Sequence, residues 1–434
     1  MSVDDRAAVL TDEGTSAEDY VHSEVPADAT VSGLHLALVI IGGTIGFSIF
    51  IVASQIGGAL GYGRALGAFT LGSLVLGVMG ALTSYVGARS RLSTYLLTEF
   101  AFGQGGAKLV NLAVAMSLIG WYGVISNFLG QAGQQMLLEA TGVEVATYIP
   151  VVIASLLMIG VTLLGFTGID KLALYLVPVM IGFLIYAAIT SLGASTPANS
   201  LSGDFTFETA VSAVVGSYIA GVIIQPDYSR FANSLKGAVW SVFLALGIAF
   251  PAVQFLSAIP SLATGNANLM AVMALLGLTL PAFLLLVLGA WSSNVLCLYS
   301  AGLSIATVAD KISLRKIISG VGIIGTAIAF VPAQDYLIDF LVVLGVVIPP
   351  IGAVYLIDAF LLRRFDYAAS HQVGGKAAWV NPKAFIAWGC GSLAGFMVQL
   401  GYGQISGISS VDSLLVTALV LMLMEHRSIL RWSC

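Results

Sequence analysis

The run from Leu36 to Ile56, LALVIIGGTIGFSIFIVASQI, carries no charge and is long enough to cross a bilayer, since a spanning helix needs about 20 apolar residues. Lipid offers a backbone no hydrogen-bond partners, so a segment of this length can sit there only as a helix that pairs its own amides and carbonyls. The middle of the run strains that rule. Gly42, Gly43 and Gly46 crowd around Thr44 and Ile45. Each glycine weakens a helix by roughly 1 kcal/mol relative to alanine, and the helix is expected to open here. An opened turn in lipid leaves carbonyls and amides unpaired, at several kcal/mol each. It survives where it lines a cavity and an ion or polar substrate takes the freed groups. The same glycines also suit the close approach of a second helix. The run by itself leaves both readings open.

The rest of the chain has the same character. Its 434 residues are 58% hydrophobic and 9% charged, where a soluble globular protein carries about 25% charged residues. This composition specifies an all-α polytopic membrane protein embedded in a lipid bilayer. Hydropathy marks twelve spans, at 33–60, 65–87, 109–137, 148–166, 172–193, 208–228, 237–259, 278–308, 316–332, 336–361, 383–401 and 409–426. With the N-terminus inside, every lysine and arginine except Arg64 falls on the inner side. The positive-inside rule therefore orients the chain with both termini in the cytoplasm. Residues 1–30 are acidic and polar, lack the apolar core of a signal peptide, and read as a disordered cytoplasmic tail. Residues 427–434 form a short tail at the other end.

Span 6 is expected to be a second interrupted helix, opened within Val214-Val215-Gly216-Ser217-Tyr218-Ile219-Ala220-Gly221. It follows span 1 by five spans and so crosses in the opposite sense. Broken helices at corresponding places in two halves of opposite topology point to an inverted-repeat transporter with its site at the midplane. Residues 31–193 then form one five-helix repeat and 208–361 the second, with two helices, 383–426, appended.

Two further segments carry chemistry. Trp121 lies deep in span 3, away from the interface that tryptophan favours; for a lone tryptophan, core packing is the favoured explanation. In span 8, Gly289-Ala290-Trp291-Ser292-Ser293-Asn294 places three consecutive polar side chains in an apolar helix. A serine can bond back to its own helix carbonyls, but an asparagine amide needs a partner across a helix or a ligand. Asp227, Asp358, Asp339 and Glu425 sit near span ends, the first two beside Arg230 and Arg363-Arg364. No carboxylate or histidine occupies the centre of a span, where a proton-coupled carrier usually has one; a cation held by neutral oxygens is the expected coupling partner. Cys297, Cys390 and Cys434 and the four histidines show no metal or disulfide spacing. The chain has neither the in-membrane catalytic pair of an enzyme nor the continuous polar stripe of a channel. Nothing in it points to a cofactor, a nucleic acid or an obligate protein partner.

The run Gly42 to Gln55, the stretch Arg89-Ser90-Arg91-Leu92-Ser93 leading to Phe100-Ala101-Phe102-Gly103, and Gly120-Trp121-Tyr122-Gly123 resemble the nucleobase–cation symporters, the cytosine/purine permease family. So do Gly216-Ser217-Tyr218, Asp227-Tyr228-Ser229-Arg230-Phe231, Trp291-Ser292-Ser293-Asn294, and Pro349-Pro350-Ile351-Gly352 followed by Asp358 and Arg363-Arg364. No single motif is specific; their shared order over residues 30–390 is. The resemblance implies a LeuT-like fold working by alternating access. It also implies a sodium site between spans 1 and 8, made of the carbonyls of Gly42, Ile45 and Gly289 and the hydroxyls of Ser292 and Ser293. The matching substrate positions are Trp121, Gly216, Ser217, Tyr218 and Asn294.

Where the cytosine branch of that family has a glutamine one turn before the tryptophan, this chain has Leu118. Where that branch has an asparagine early in the span 8 motif, it has Gly289, and the asparagine of the hydantoin branch falls at Leu298. Leu118 and Gly289 thus mark a pocket short of amide side chains, which puts cytosine itself in doubt. The expected activity is sodium-coupled import of a nucleobase-like planar heterocycle across the cytoplasmic membrane. A proton-coupled permease for a hydantoin, allantoin or a thiamin-precursor pyrimidine is the alternative.

Overall fold

The computed structural model describes residues 30–44, 47–163, 167–193, 206–265, 272–273, 275–309, 311–367 and 379–430. Among these residues all the extended structure is one parallel bridge, Val31 to Ala232; the remaining regular elements are helices. Five are long and apolar enough to cross a membrane: Ile49–Ser90, Gln104–Thr141, Leu235–Thr264, Thr279–Ala306 and Tyr336–Leu362. Shorter apolar helices, such as Tyr148–Thr162, Phe207–Ile223 and Ser409–Met424, lie between them.

The first helix is described over Gly33–Thr44 (α1) and the next over Phe47–Ser90 (α2). Ile45 and Gly46 lie outside the described residues. α2 covers the rest of span 1 and all of span 2 in one continuous run bent at Gly61. The backbone there has φ 70° and ψ 172°, a conformation essentially reserved for glycine. Ser93 then caps α3 (Thr94–Phe102), its hydroxyl accepting from the Leu96 amide at 3.3 Å. This helix falls between two hydropathy spans. α4 (Gln104–Thr141) is 38 residues long, about 57 Å at 1.5 Å per residue, longer than a hydrocarbon core of about 30 Å. α5 (Tyr148–Thr162) and α6 (Thr167–Gly193) complete the first half.

In the second half, α7 (Phe207–Ile223) ends at Ile224, and the short α8 (Gln225–Ser229) begins with a proline in its first turn. The break in span 6 therefore lies below the glycines, which corrects the expectation that Val214–Gly221 would open. Gly216 has another use. A Cβ there would come 1.8 Å from the Leu341 carbonyl oxygen, so its missing side chain admits a neighbouring backbone while the helix runs on. This is the small-residue packing of membrane helices. α9 (Leu235–Phe243) and α10 (Phe250–Thr264) join through a π turn at Leu244–Ala249. α11 (Thr279–Ala306), α12 (Leu314–Ile328) and α13 (Ala333–Val347) follow. Pro349 and Pro350, which bring no amide hydrogens, open α14 (Pro349–Ile357). The chain closes with α15 (Pro382–Gln399), α16 (Ser409–Met424) and the short α17 (His426–Leu430).

Two ties join the two halves, and a third closes a loop near the C-terminus. The Val31 amide donates to the Phe231 carbonyl at 2.7 Å, and the Asn233 amide to the Val31 carbonyl at 3.0 Å. The entry to span 1 is thereby held to the segment after α8. Asp358 pairs with Arg363 at 2.9 Å, and the same guanidinium donates to the Phe100 carbonyl at 2.9 Å, tying the end of span 10 to α3. Asp412 is fully buried and accepts from the amides of Ile405 and Ser406, which closes the loop entering α16.

Candidate substrate and cation site

A cavity of about 70 Å³ lies where α2, α4, α7, α8 and α11 converge. Its walls are largely apolar, with Ile49, Leu118, Ile125, Ala220, Ile224 and Leu296. Its polar groups are few: the Trp121 indole, the hydroxyls of Ser217, Tyr218, Tyr228 and Ser293, and the Cys297 thiol. None of its lining residues among those described carries a charge. An apolar cleft with a handful of convergent polar groups is the usual form of a small-molecule site.

Each of these side chains is placed by its own helix. Trp121 is 6% exposed, lines the cavity, and meets Phe340 of α13 edge-on with ring centroids 5.7 Å apart and planes at 72°. It is both packed and presented. Ser217 donates to its own helix carbonyl at Val214, 2.7 Å away, which leaves its oxygen able to accept. The Tyr218 ring rests tilted on Phe250 at 6.0 Å and crosses the bare face of Gly221, where a Cβ would come 2.8 Å from that ring. Tyr228 and Ser300 share a hydrogen bond of 2.8 Å.

The structure separates the other expected substrate positions from the cavity. Gly216 is turned to Leu341 of α13. Asn294 has no exposed surface and donates to Ser126 Oγ at 2.9 Å and to the Tyr122 carbonyl at 3.4 Å; its amide pins α11 to α4. Gly289 is buried one turn before Ser293 and is not part of the lining. Leu298, the hydantoin-branch position, is fully buried and lies against the face of α12 at Gly322. Of the two positions said to lose amides, only Leu118 borders the space. Ile49, Ile125, Ile224, Tyr228, Leu296 and Cys297 line it without having been singled out in the sequence. Most are ordinary apolar residues with no chemical signature; Tyr228 stood in plain view within a motif.

For a cation, the arrangement around α1 is informative. Gly42 is buried, and Thr44 Oγ1 donates to the Ile41 carbonyl at 2.8 Å. α11 packs against α1, and Ser293 is 7% exposed within the cavity lining. Neutral oxygens of this kind fit a hard monovalent cation. Ile45 and the Ser292 side chain lie outside what is described.

The family model described as permease for cytosine/purines, uracil, thiamine, allantoin matches residues 26–419. The cytosine permease of Escherichia coli (strain K12) is 30% identical over 392 residues, covering 87% of this chain and 88% of that protein. The cytosine permease of Escherichia coli O157:H7 is 31% identical over the same shares. Among solved structures, the nucleobase-cation-symport-1 family transporter Mhp1, closed with bromovinylhydantoin bound, has a TM-score of 0.79 at 17% identity over 92% of this chain and 93% of that one. A Na+-coupled sialic acid symporter in a substrate-bound outward-open state has a TM-score of 0.68 at 13% identity, covering 96% and 93%. These likenesses establish the fold as LeuT-like.

Proposed function

The chain belongs to the family of permeases for cytosine/purines, uracil, thiamine and allantoin, and we propose that it is a sodium-driven symporter that imports a planar nitrogen heterocycle through the cytoplasmic membrane. That it is a multi-pass membrane transporter and not an enzyme follows from the family; substrate class, coupling ion and orientation are our reading. The observation that carries it is the cavity. It offers one aromatic face, Trp121, a second ring, Tyr218, and scattered hydroxyls without charge. A flat, neutral, polar ring fits such a site by stacking and edge hydrogen bonds, and each stacked base contributes about 1–3 kcal/mol.

The ring would lie between Trp121 and Tyr218, with Ser217 and Ser293 at its edge. The cation would sit beside it, between α1 and α11, on the set the family pattern implies: the carbonyls of Gly42, Ile45 and Gly289 and the hydroxyls of Ser292 and Ser293. Because α1 and α11 close on the same ion, its binding organises the wall the substrate meets. Leu118 offers no hydrogen bond, so a ring edge rich in donors and acceptors loses partners on that side. Bulkier or less polar heterocycles are expected to bind better than cytosine. A proton-coupled carrier usually has an ionisable residue within its spans, and none of the described residues lining the cavity is charged. The adjacent carboxylate, Asp227, lines a separate small cavity and accepts from the Thr94 amide at 2.8 Å.

A thermal-shift panel tests the reading on purified protein. Nucleobases, hydantoin, allantoin and aminomethylpyrimidines are each added with and without sodium, since binding raises stability by RT ln(1 + [L]/Kd). Stabilisation by at least one heterocycle, enhanced by sodium and not by potassium, is expected. No shift with any of them overturns the substrate class, and equal shifts in both salts overturn the sodium coupling.

A further inference from the structure

α11 carries one continuous stripe of side chains past two cavities. Ser293, Leu296 and Cys297 border the central one. Leu303, Ser304 and Thr307 border a second, of about 20 Å³. Ser300 lies one turn beyond the first group and one turn before the second, and the spacing of three and four keeps all of them on one helix face. α8 faces the same stripe. Tyr228 lines the central cavity, whereas Asp227, and Arg230 just after the helix, line the smaller one. Between the two spaces stands the hydrogen bond of Tyr228 with Ser300, at 2.8 Å.

The smaller cavity differs in chemistry from the central one. It holds the Asp227 carboxylate, the Ser304 hydroxyl and the Asn111 amide. The Asn111 nitrogen is taken by Thr98 Oγ1 at 3.1 Å and the Ala107 carbonyl at 2.8 Å, so its amide oxygen is left to accept. The cavity lies towards the end of the bundle where Arg89, Arg91, Lys236 and Lys311 follow in the chain. α8 is only five residues long and is parted from α7 by the break at Ile224. A short helix flanked by a break can swing while its neighbours stay folded.

We propose that the Tyr228–Ser300 hydrogen bond is the inner barrier of the transport pathway, and that the polar cavity beneath it is the vestibule through which substrate leaves towards the basic face. Opening breaks this bond and moves α8 away from α11, joining the two spaces. Asp227 of α8 also accepts from the Thr94 amide, so α3 moves with it, and Pro226 and Ser229 slide against Gly87 of α2. This inference rests on the transporter reading above and deepens it.

The chain supplies its own probe. Cys297 lines the central cavity, and replacing Cys390 and Cys434 by serine leaves it the single thiol. In membrane vesicles, its rate of reaction with a small membrane-impermeant thiol reagent is measured from each face, without substrate. Tyr228→Phe and Ser300→Ala are each expected to speed modification from the basic face several-fold, up to about tenfold. That is the range by which one neutral hydrogen bond biases a two-state equilibrium. Ser300→Thr keeps a hydroxyl and should restore the parent rate, and the double variant should add little to either single one. Rates unchanged in both single variants, or raised equally from both faces, overturn the barrier. Because no substrate or sodium enters this measurement, its failure is distinct from a failure of the proposed substrate class.

Discussion

Replacing Trp121 separates its two roles. Its indole is 6% exposed and lies edge-on to Phe340, so Trp121→Ala empties a packed position and costs about 3–5 kcal/mol of stability. Lost activity in that variant alone proves little. Trp121→Leu fills much of the volume with apolar atoms but has no ring face. Trp121→Phe keeps a smaller ring and a partner for Phe340. If the substrate ring stacks on the indole, removing the face costs about 1–3 kcal/mol, which is about 5- to 150-fold in Kd. The assay is titration calorimetry in detergent at a temperature where each variant is folded, with the melting temperature measured in parallel. The expected order of affinity is wild type, then Phe, then Leu, with Leu weakened by at least fivefold. A leucine variant that melts lower yet binds as tightly as wild type would refute the stacking role and leave Trp121 as packing.

Three other substitutions probe the remaining features. Ser293→Ala, which removes one hydroxyl from the cavity beside α1, should raise the sodium concentration for half-maximal stimulation about tenfold while leaving the ranking of heterocycles unchanged; an unaltered sodium response would remove Ser293 from the cation site. Gly216→Ala drives a Cβ into the Leu341 carbonyl and should lower the melting point by the equivalent of about 1–3 kcal/mol or more, with near-normal affinity in the folded fraction; selective loss of affinity at unchanged stability would put Gly216 at the substrate. Leu118→Gln restores an amide to the cavity wall and should improve cytosine relative to purines by about 2- to 10-fold, the worth of one neutral hydrogen bond; a fall in cytosine binding would contradict the reading of this position.

Much of the fold was legible because the bilayer enforces it. Uncharged apolar runs follow from the cost of charge and bare backbone in lipid. The opening of span 1 expected from its glycines falls on Ile45 and Gly46, outside the described residues. The same logic misplaced the break in span 6, because a glycine reports only that a side chain is missing. At Gly216 the space is taken by the α13 backbone, a contact no local pattern encodes. The break came instead at Ile224, just before Pro226. α3 escaped hydropathy because it is short and bears Glu99, though Ser93 marked its start. Within the site, Trp121, Leu118, Ser217, Tyr218 and Ser293 meet at the cavity. Asn294, one residue from Ser293, is turned aside because consecutive helical residues diverge by about 100°, and its amide nitrogen donates to Ser126 and Tyr122. Polar character within a span predicted a partner correctly, but not which partner.

The coupling between ion and heterocycle is tested most directly in proteoliposomes loaded without sodium, with a radiolabelled heterocycle chosen from the thermal-shift panel. An inward sodium gradient should drive accumulation above the external concentration, with a transient overshoot that a protonophore leaves intact and that collapses when sodium is equal on both sides. Accumulation in sodium-free buffer, abolished by the protonophore, would contradict the account.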